Sequence, residues 1–278
     1  MSNLSGDRQH FVPQAYLKRF TDTNKKDGLL YVYDLLRDKE FISAPAGVAH
    51  RNQYYRFTED LYPDIDPDIV DKILDDNVPI LDDLIGNIIE TRKIPIPSSE
   101  NIFESIYTQM GLMIARSPES RINSILLTEV AIKEFALTQL EDAPQEIKAL
   151  VEEKGVYEAF KIDFNEDYFK QKTIELAASY TETLCRRTWQ IVETPQDCHF
   201  ITSDLPISVR KLTSYGAGSL ADPNTVVFFP ISKYIGLVGE FNSIESYQLL
   251  NREQVALLNT QTLERPLAQV FSCANDSI

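Results

Sequence analysis

Between Asp66 and Arg187 the apolar residues recur at helical spacing, and after Arg186-Arg187 they come in short runs with the period of strands. That change of period predicts an α+β fold, with a helical middle layer packed on a mostly antiparallel sheet formed by N-terminal and C-terminal strands. Residues 1–278 then form a single domain, or two lobes in which 66–187 are helical and 10–65 plus 188–278 are mixed α/β. Ile69, Val70, Ile73 and Leu74 begin the helical pattern, and Leu81, Leu84, Ile85, Ile88 and Ile89 continue it. Asp66 before Pro67 predicts its cap, and Pro79 a kink or split. After the extended Lys93–Pro97, further helices are predicted over Ser99–Ala115, 118–140 and about 165–187. The acidic stretch from Glu141 to Asp167 is expected to be less ordered, with a short helix after Pro144.

The flanking segments read as strands. Leu29–Tyr33 and Phe41–Ser43 suit a hairpin, and Trp189–Val192, Phe200-Ile201, Ile207–Val209, Val226–Pro230, Ile235–Val238 and Tyr247–Leu250 supply the later strands. Asn251 should cap a closing helix from Glu253 to about Leu263. Near the start, Pro13, Tyr16, Leu17 and Phe20 fall at i, i+3, i+4 and i+7, so a short helix turns one apolar stripe inward. Val48–Phe57 interleaves aromatic with basic residues, a pattern of core strands first and of base-stacking platforms second. The glycines of Ser214–Ser219 lack the strand and helix context of a phosphate-binding loop.

Charge narrows the function classes. A net charge of -15 weighs against a general nucleic-acid-binding surface, yet twelve acidic and three basic residues between Glu59 and Glu100 supply more than half of it. An anionic substrate held in one groove therefore stays open. The carboxylate pairs Asp75-Asp76 and Asp82-Asp83 fall in this segment and read as a solvated helix face, with nothing in sequence to desolvate them. The cysteines Cys185, Cys198 and Cys273 are widely spaced and read as reduced core thiols. No apolar run reaches a membrane-spanning length and the start has no signal-peptide pattern, so a cytoplasmic location is expected. With His10, His50 and His199 scattered, zinc is disfavoured; Mg²⁺ is conceivable but has no motif behind it.

The chemistry-bearing residues lie in three places. His10 sits just before the first helix, where its imidazole can meet free backbone N–H groups or a distant carboxylate. Arg116 ends an apolar helix face and precedes Ser117-Pro118, so its guanidinium should be partly buried and need an anionic partner, either a substrate or a bracing carboxylate such as Asp204. Thr202-Ser203-Asp204 are delivered by a strand end, where folds commonly place reactive groups. His10, Arg116, Ser203 and Asp204 are the candidate catalytic set. Gln14, Tyr16 and Arg19 on the first helix, with Trp189 and Thr202 on strands, are the candidate binding residues.

The blocks His10-x-x-Pro13-x-x-Tyr16-Leu17-x-x-Phe20, Arg116 with Pro118, Trp189 followed by Phe200-Ile-Thr-Ser203-Asp204-x-Pro206, Phe229-Pro230-Ile-Ser and the Asn251 helix together resemble the DUF4238 family. The resemblance spans nearly the whole chain. It implies fold boundaries and no activity, since the family's own description is one of unknown function.

Two functions are expected from these residues. One is a hydrolase, with a nuclease as the narrower case, in which His10 is the acid or base, Asp204 orients it or holds a metal, Ser203 attacks or positions water, and Arg116 holds an anionic oxygen. The other is a binding or regulatory protein in which the same side chains form a buried polar network and the acidic surface meets a basic protein partner. An open pocket lined by His10, Arg116 and Asp204 would favour the first, and a sealed, bonded cluster the second.

Overall fold

The segment Thr225–Pro230 is buried at all six residues, because the sheet it belongs to is covered on both faces. The computed structural model describes residues 8–58, 63–96, 102–212, 218–264 and 268–274. The chain begins with β1 (Arg8–His10), a one-turn helix α1 (Gln14–Leu17), the hairpin β2 (Leu30–Asp34) and β3 (Lys39–Ser43), and β4 (His50–Asn52). Helices α2 (Ile69–Asp76), α3 (Val78–Thr91), α4 (Ile106–Ala115), α5 (Pro118–Thr138), α6 (Gln145–Lys154), α7 (Val156–Ala159) and α8 (Glu166–Cys185) follow. The last third contains β5 (Thr188–Glu193), β6 (Thr202–Ser203), β7 (Ser208–Lys211), β8 (Thr225–Pro230), β9 (Ile235–Glu240), β10 (Ser246–Leu249), α9 (Arg252–Leu263) and β11 (Gln269–Ser272).

The fold is α+β with mostly antiparallel pairing, as expected, but the strands form three sheets rather than one. The largest runs β10-β5-β9-β8-β7, antiparallel except where β10 joins β5 in parallel. One of its faces packs Trp189, Ile191, Val227, Phe229 and Leu237 against the helical layer. The other packs Phe200, Phe228 and Val238 against Val255 of α9. N-terminal and C-terminal strands meet in the second sheet, β3-β2-β11-β6. The third pairs β1 with β4 and sets His10 opposite His50.

Local chemistry explains most element ends. Pro79 falls in the first turn of α3, where a missing N–H costs nothing, so the predicted split between α2 and α3 is observed. Ser105 caps α4 by accepting from Tyr107 N at 3.2 Å, which puts its start after the predicted Ser99; residues 97–101 lie outside the described residues. Asp66 caps no helix: its side chain accepts from Asp68 N, and α2 begins at Ile69. Asn251 and Gln254 close a reciprocal capping box on α9, each backbone N–H to side-chain oxygen distance being 2.9 Å. Ordered helix extends further through 141–167 than expected, as α6 and α7.

α4 and α8 approach closely at Gly111. A Cβ there would lie 2.5 Å from both the Ala177 carbonyl oxygen and Thr181 Oγ1, so only glycine permits the approach. Of the cysteines, Cys273 alone is buried, while Cys185 is exposed and Cys198 half-buried, which corrects the core-thiol expectation. The aromatic residues of Val48–Phe57 are core, with Tyr54, Tyr55 and Phe57 all buried. Among the described residues no helix is long and apolar enough to cross a membrane.

Candidate functional site

Arg116 is only 4% exposed and follows the last residue of α4. The helix delivers it there because Ile106, Met110 and Met113 anchor the preceding turns in the core. Its main-chain carbonyl accepts from Tyr55 Oη at 2.8 Å, and its Nη2 donates to the carbonyl oxygen of His10. Among the described residues Nε has no hydrogen-bond partner and the guanidinium forms no ion pair with a carboxylate. The expected brace between Arg116 and Asp204 is therefore replaced by a bond to the amino-terminal strand. A buried guanidinium left short of an acceptor is costly, and an anionic group would satisfy it.

This guanidinium lies at the wall of a cavity of about 540 Å³ between β1, α1 and α2. Arg8, Lys26 and Arg116 contribute positive charge to the lining, and Asp71 and Asp75 negative charge. With His10 neutral and the other five ionised the lining is net +1, in a chain whose total is -15. His10 and Gln14 complete the polar wall, their Nε2 atoms 3.4 Å apart. The imidazole accepts that bond when its proton is on Nδ1.

Burial pushes the His10 pKa down to about 4, with His50 and then Arg116 and Arg8 acting in the same direction against a hydrogen bond to the Ala46 backbone. The rings of His10 and His50 meet edge to face at 5.3 Å, and burial, then Arg8, also lowers the His50 pKa. Asp71 moves the opposite way. Burial, then the charge of Asp75, raises its pKa to about 6, despite Arg116 and a hydrogen bond from Gln9. Burial likewise raises the Asp75 pKa. Around neutral pH the cavity thus combines an uncharged imidazole with a carboxyl that keeps part of its proton, two groups displaced in the directions that suit base and acid.

Asp71 and Asp75 are the residues that sequence reasoning missed. The pair Asp75-Asp76 reads as a solvated face because no desolvating neighbour is visible in sequence; the fold provides one by laying α2 against β1. The available signal was the i, i+4 spacing of Asp71 and Asp75 on one helix face. The second acidic pair serves another purpose, with Asp82 binding Lys18 Nζ at 2.6 Å and Arg19 Nη2 at 2.5 Å.

The four candidate catalytic residues do not converge. His10 and Arg116 line the cavity; Ser203 and Asp204 do not. β6 pairs with β11, and this register commits the turn after it to backbone bonding. Ser203 Oγ donates to the Leu205 carbonyl at 2.8 Å and accepts from Leu205 N at 3.1 Å. The Asp204 carboxylate accepts from Ala268 N at 2.8 Å and Gln269 N at 3.1 Å, and the residue is 3% exposed.

The candidate binding residues also separate. Gln14 is at the cavity. Tyr16, on the same helical turn, points into the core, where its hydroxyl is 2.7 Å from Thr202 Oγ1 and donates to the Pro230 carbonyl at 2.6 Å. Arg19 is held by Asp82, and Trp189 is buried with its indole N–H on the Leu184 carbonyl at 3.1 Å. Trp189 borders a different cavity, of about 590 Å³, beside Tyr107 and Arg92. Among the described residues no group of three or more His, Cys, Asp and Glu side chains is placed to hold a metal ion.

A family model described as "Protein of unknown function (DUF4238)" matches residues 8–276. No curated protein and no solved structure matches the chain.

Proposed function

We propose that this chain, which belongs to the DUF4238 family, is a hydrolase acting on an anionic substrate bound in the cavity at Arg116. One observation carries the reading: Arg116, which forms no ion pair with a carboxylate among the described residues, lines a net-positive cavity together with His10 and Asp71. Its volume is within the range of sites for small molecules and single nucleotides. Arg116 holds the anionic oxygen, neutral His10 takes a proton from a water that replaces Gln14 at its Nε2, and protonated Asp71 donates to the leaving group. Ser203, bonded to Leu205, closes the turn after β6 in this reading, and Asp204 fixes that turn to the start of β11.

The finer proposal is that the anion is a phosphate ester, which makes the enzyme a nuclease or nucleotidase of the cytoplasm. The test is incubation of the purified chain at pH 5 and pH 7 with RNA, DNA and mononucleotides, with and without Mg²⁺, beside His10→Ala and Asp71→Asn. Hydrolysis that both variants lose supports the reading; hydrolysis that survives in both removes it. Binding of the same anions without turnover by the parent would instead favour the regulatory alternative, with which the buried bonds of Tyr16 to Thr202, Ser203 to Leu205 and Asp204 to Ala268 and Gln269 agree.

A further inference from the structure

The five-stranded sheet ends at β7 on one side and at β10 on the other, and the two edges are built differently. β7 carries Arg210 and Lys211, charges of the kind that keep a bare strand from pairing with another chain. β10, with the sequence Ser246-Tyr-Gln-Leu249, has neither charge nor proline, and all four of its residues are exposed. It runs parallel to β5, and the N–H of Leu250 just after it donates to the Glu193 carbonyl at 2.8 Å. Main-chain groups alternate along a strand, so Ser246 and Gln248 bond towards β5 while Tyr247 and Leu249 turn their N–H and C=O outward. Among the described residues none of these four outward groups has a hydrogen-bond partner.

Apolar side chains gather at the same edge. Leu249 is 63% exposed, and Ile244, just before the strand, 77%. Ser246 also belongs to the wall of the cavity of about 590 Å³, where Ile94, Pro95, Tyr107, Trp189 and Ile191 supply most of the lining.

We propose that β10 is where an extended segment of a basic partner protein docks, adding a strand to the sheet and placing an apolar side chain in the cavity beside Ser246. In a contact of this kind the open main-chain groups supply affinity and the neighbouring pocket supplies specificity. Docking at β10 is independent of the chemistry at Arg116.

Charge selects the partner. Glu240, Glu245 and Glu253 flank the strand in the chain, and none of them forms an ion pair among the described residues. Of the cations nearby, Arg92 is already held by Glu193 and Arg252 by Asp197, which leaves Lys93. Three carboxylates against one ammonium attract a segment that bears Lys or Arg. A second copy of the chain would bring the same three carboxylates and a net charge of -15, and is disfavoured.

The test is selection from a library of octapeptides with Lys or Arg at alternate positions and Val, Ile, Leu, Tyr or Trp between them, followed by titration of the ¹⁵N-labelled full chain with the selected peptide. The amides of Tyr247 and Leu249 should exchange fast in the free chain and at least tenfold more slowly with peptide bound, and the Trp189 indole N–H signal should move as the cavity fills. Leu249→Pro removes an outward N–H without touching a bond to β5, so it should keep the far-UV spectrum and weaken binding at least tenfold. The double variant Glu245→Gln with Glu253→Gln, a surface change that leaves β10 itself intact, should also weaken it, by roughly tenfold. A library that yields no binder would overturn the proposal, and so would a peptide that leaves the two amides unprotected or binds both variants as it binds the parent. Protection that grows with chain concentration in the absence of peptide would overturn it in favour of a second copy.

Discussion

The guanidinium of Arg116 donates to the main-chain carbonyl oxygen of His10, 106 positions earlier in the chain. This bond ties the carboxyl end of α4 to β1 and brings the cation, the imidazole and the α2 carboxylates around one cavity. Because it uses a carbonyl and not a carboxylate, the charge of Arg116 stays available to a ligand.

Replacing Arg116 by lysine keeps the charge and loses the fork. Arg116→Lys is expected to fold with a loss of about 1–3 kcal/mol and to bind orthophosphate or nucleoside monophosphates at least tenfold more weakly. Thermal unfolding with and without added anion reads both effects. Equal stabilisation of parent and variant by the anion would show that the binding lies elsewhere.

Asp71 and His10 make opposing contributions to stability as pH changes. The folded Asp71 pKa of about 6 is above its unfolded value of about 3.9, so the folded state holds an extra proton between these values and stability falls as pH rises through them. The folded His10 pKa of about 4 is below its unfolded value of about 6.5, so stability rises with pH between those two. From pH 4 to 6 these two contributions should therefore largely cancel in the parent. Asp71→Asn should unmask a rise over that window and His10→Ala a fall, each on the order of 1–2 kcal/mol after screening by solvent. Chemical denaturation at successive pH values measures the three slopes, and three identical profiles would contradict the assignment.

The same two groups set a pH optimum. A base that must be deprotonated above about 4 and an acid that must be protonated below about 6 give a bell-shaped rate centred near pH 5. Anion affinity should rise over the same descent, since protonating Asp71 removes a competitor for Arg116. A rate that climbs steadily from pH 5 to pH 9 would exclude these roles.

Asp204→Ala should act on the fold. It strips the acceptor from the N–H groups of Ala268 and Gln269, a cost of about 2–4 kcal/mol and several degrees in Tm. His10→Ala should stay within about 1–2 kcal/mol of the parent at neutral pH while removing activity. A stable but inactive Asp204→Ala would return that carboxylate to the chemistry.

Much of the architecture is written in local pattern. The helix period from Ile69 onward, Pro79 and Asn251 each act within a few residues, and the elements they predict are present. β11 was not anticipated: Val270 and Phe271 are too short a run to read as a strand, and become one only by pairing with β2 and β6. The site divides in the same way. His10 and Arg116 stood out because a histidine before a helix and an arginine after an apolar one are unusual on their own. Asp71 and Asp75 look like ordinary acidic helix residues until α2 is laid against β1. The Thr202-Ser203-Asp204 turn, by contrast, looks reactive in isolation and is occupied by backbone once β11 docks.

Arg116 Nε can be watched directly. In ¹⁵N-labelled protein at pH 5, titration with orthophosphate or adenosine monophosphate should shift the Arg116 Nε–Hε resonance saturably as the anion binds beside the guanidinium, with the His10 ring following. An Arg116 resonance that stays in place while other arginines move would contradict the account, because the anion would then be binding somewhere other than this cavity.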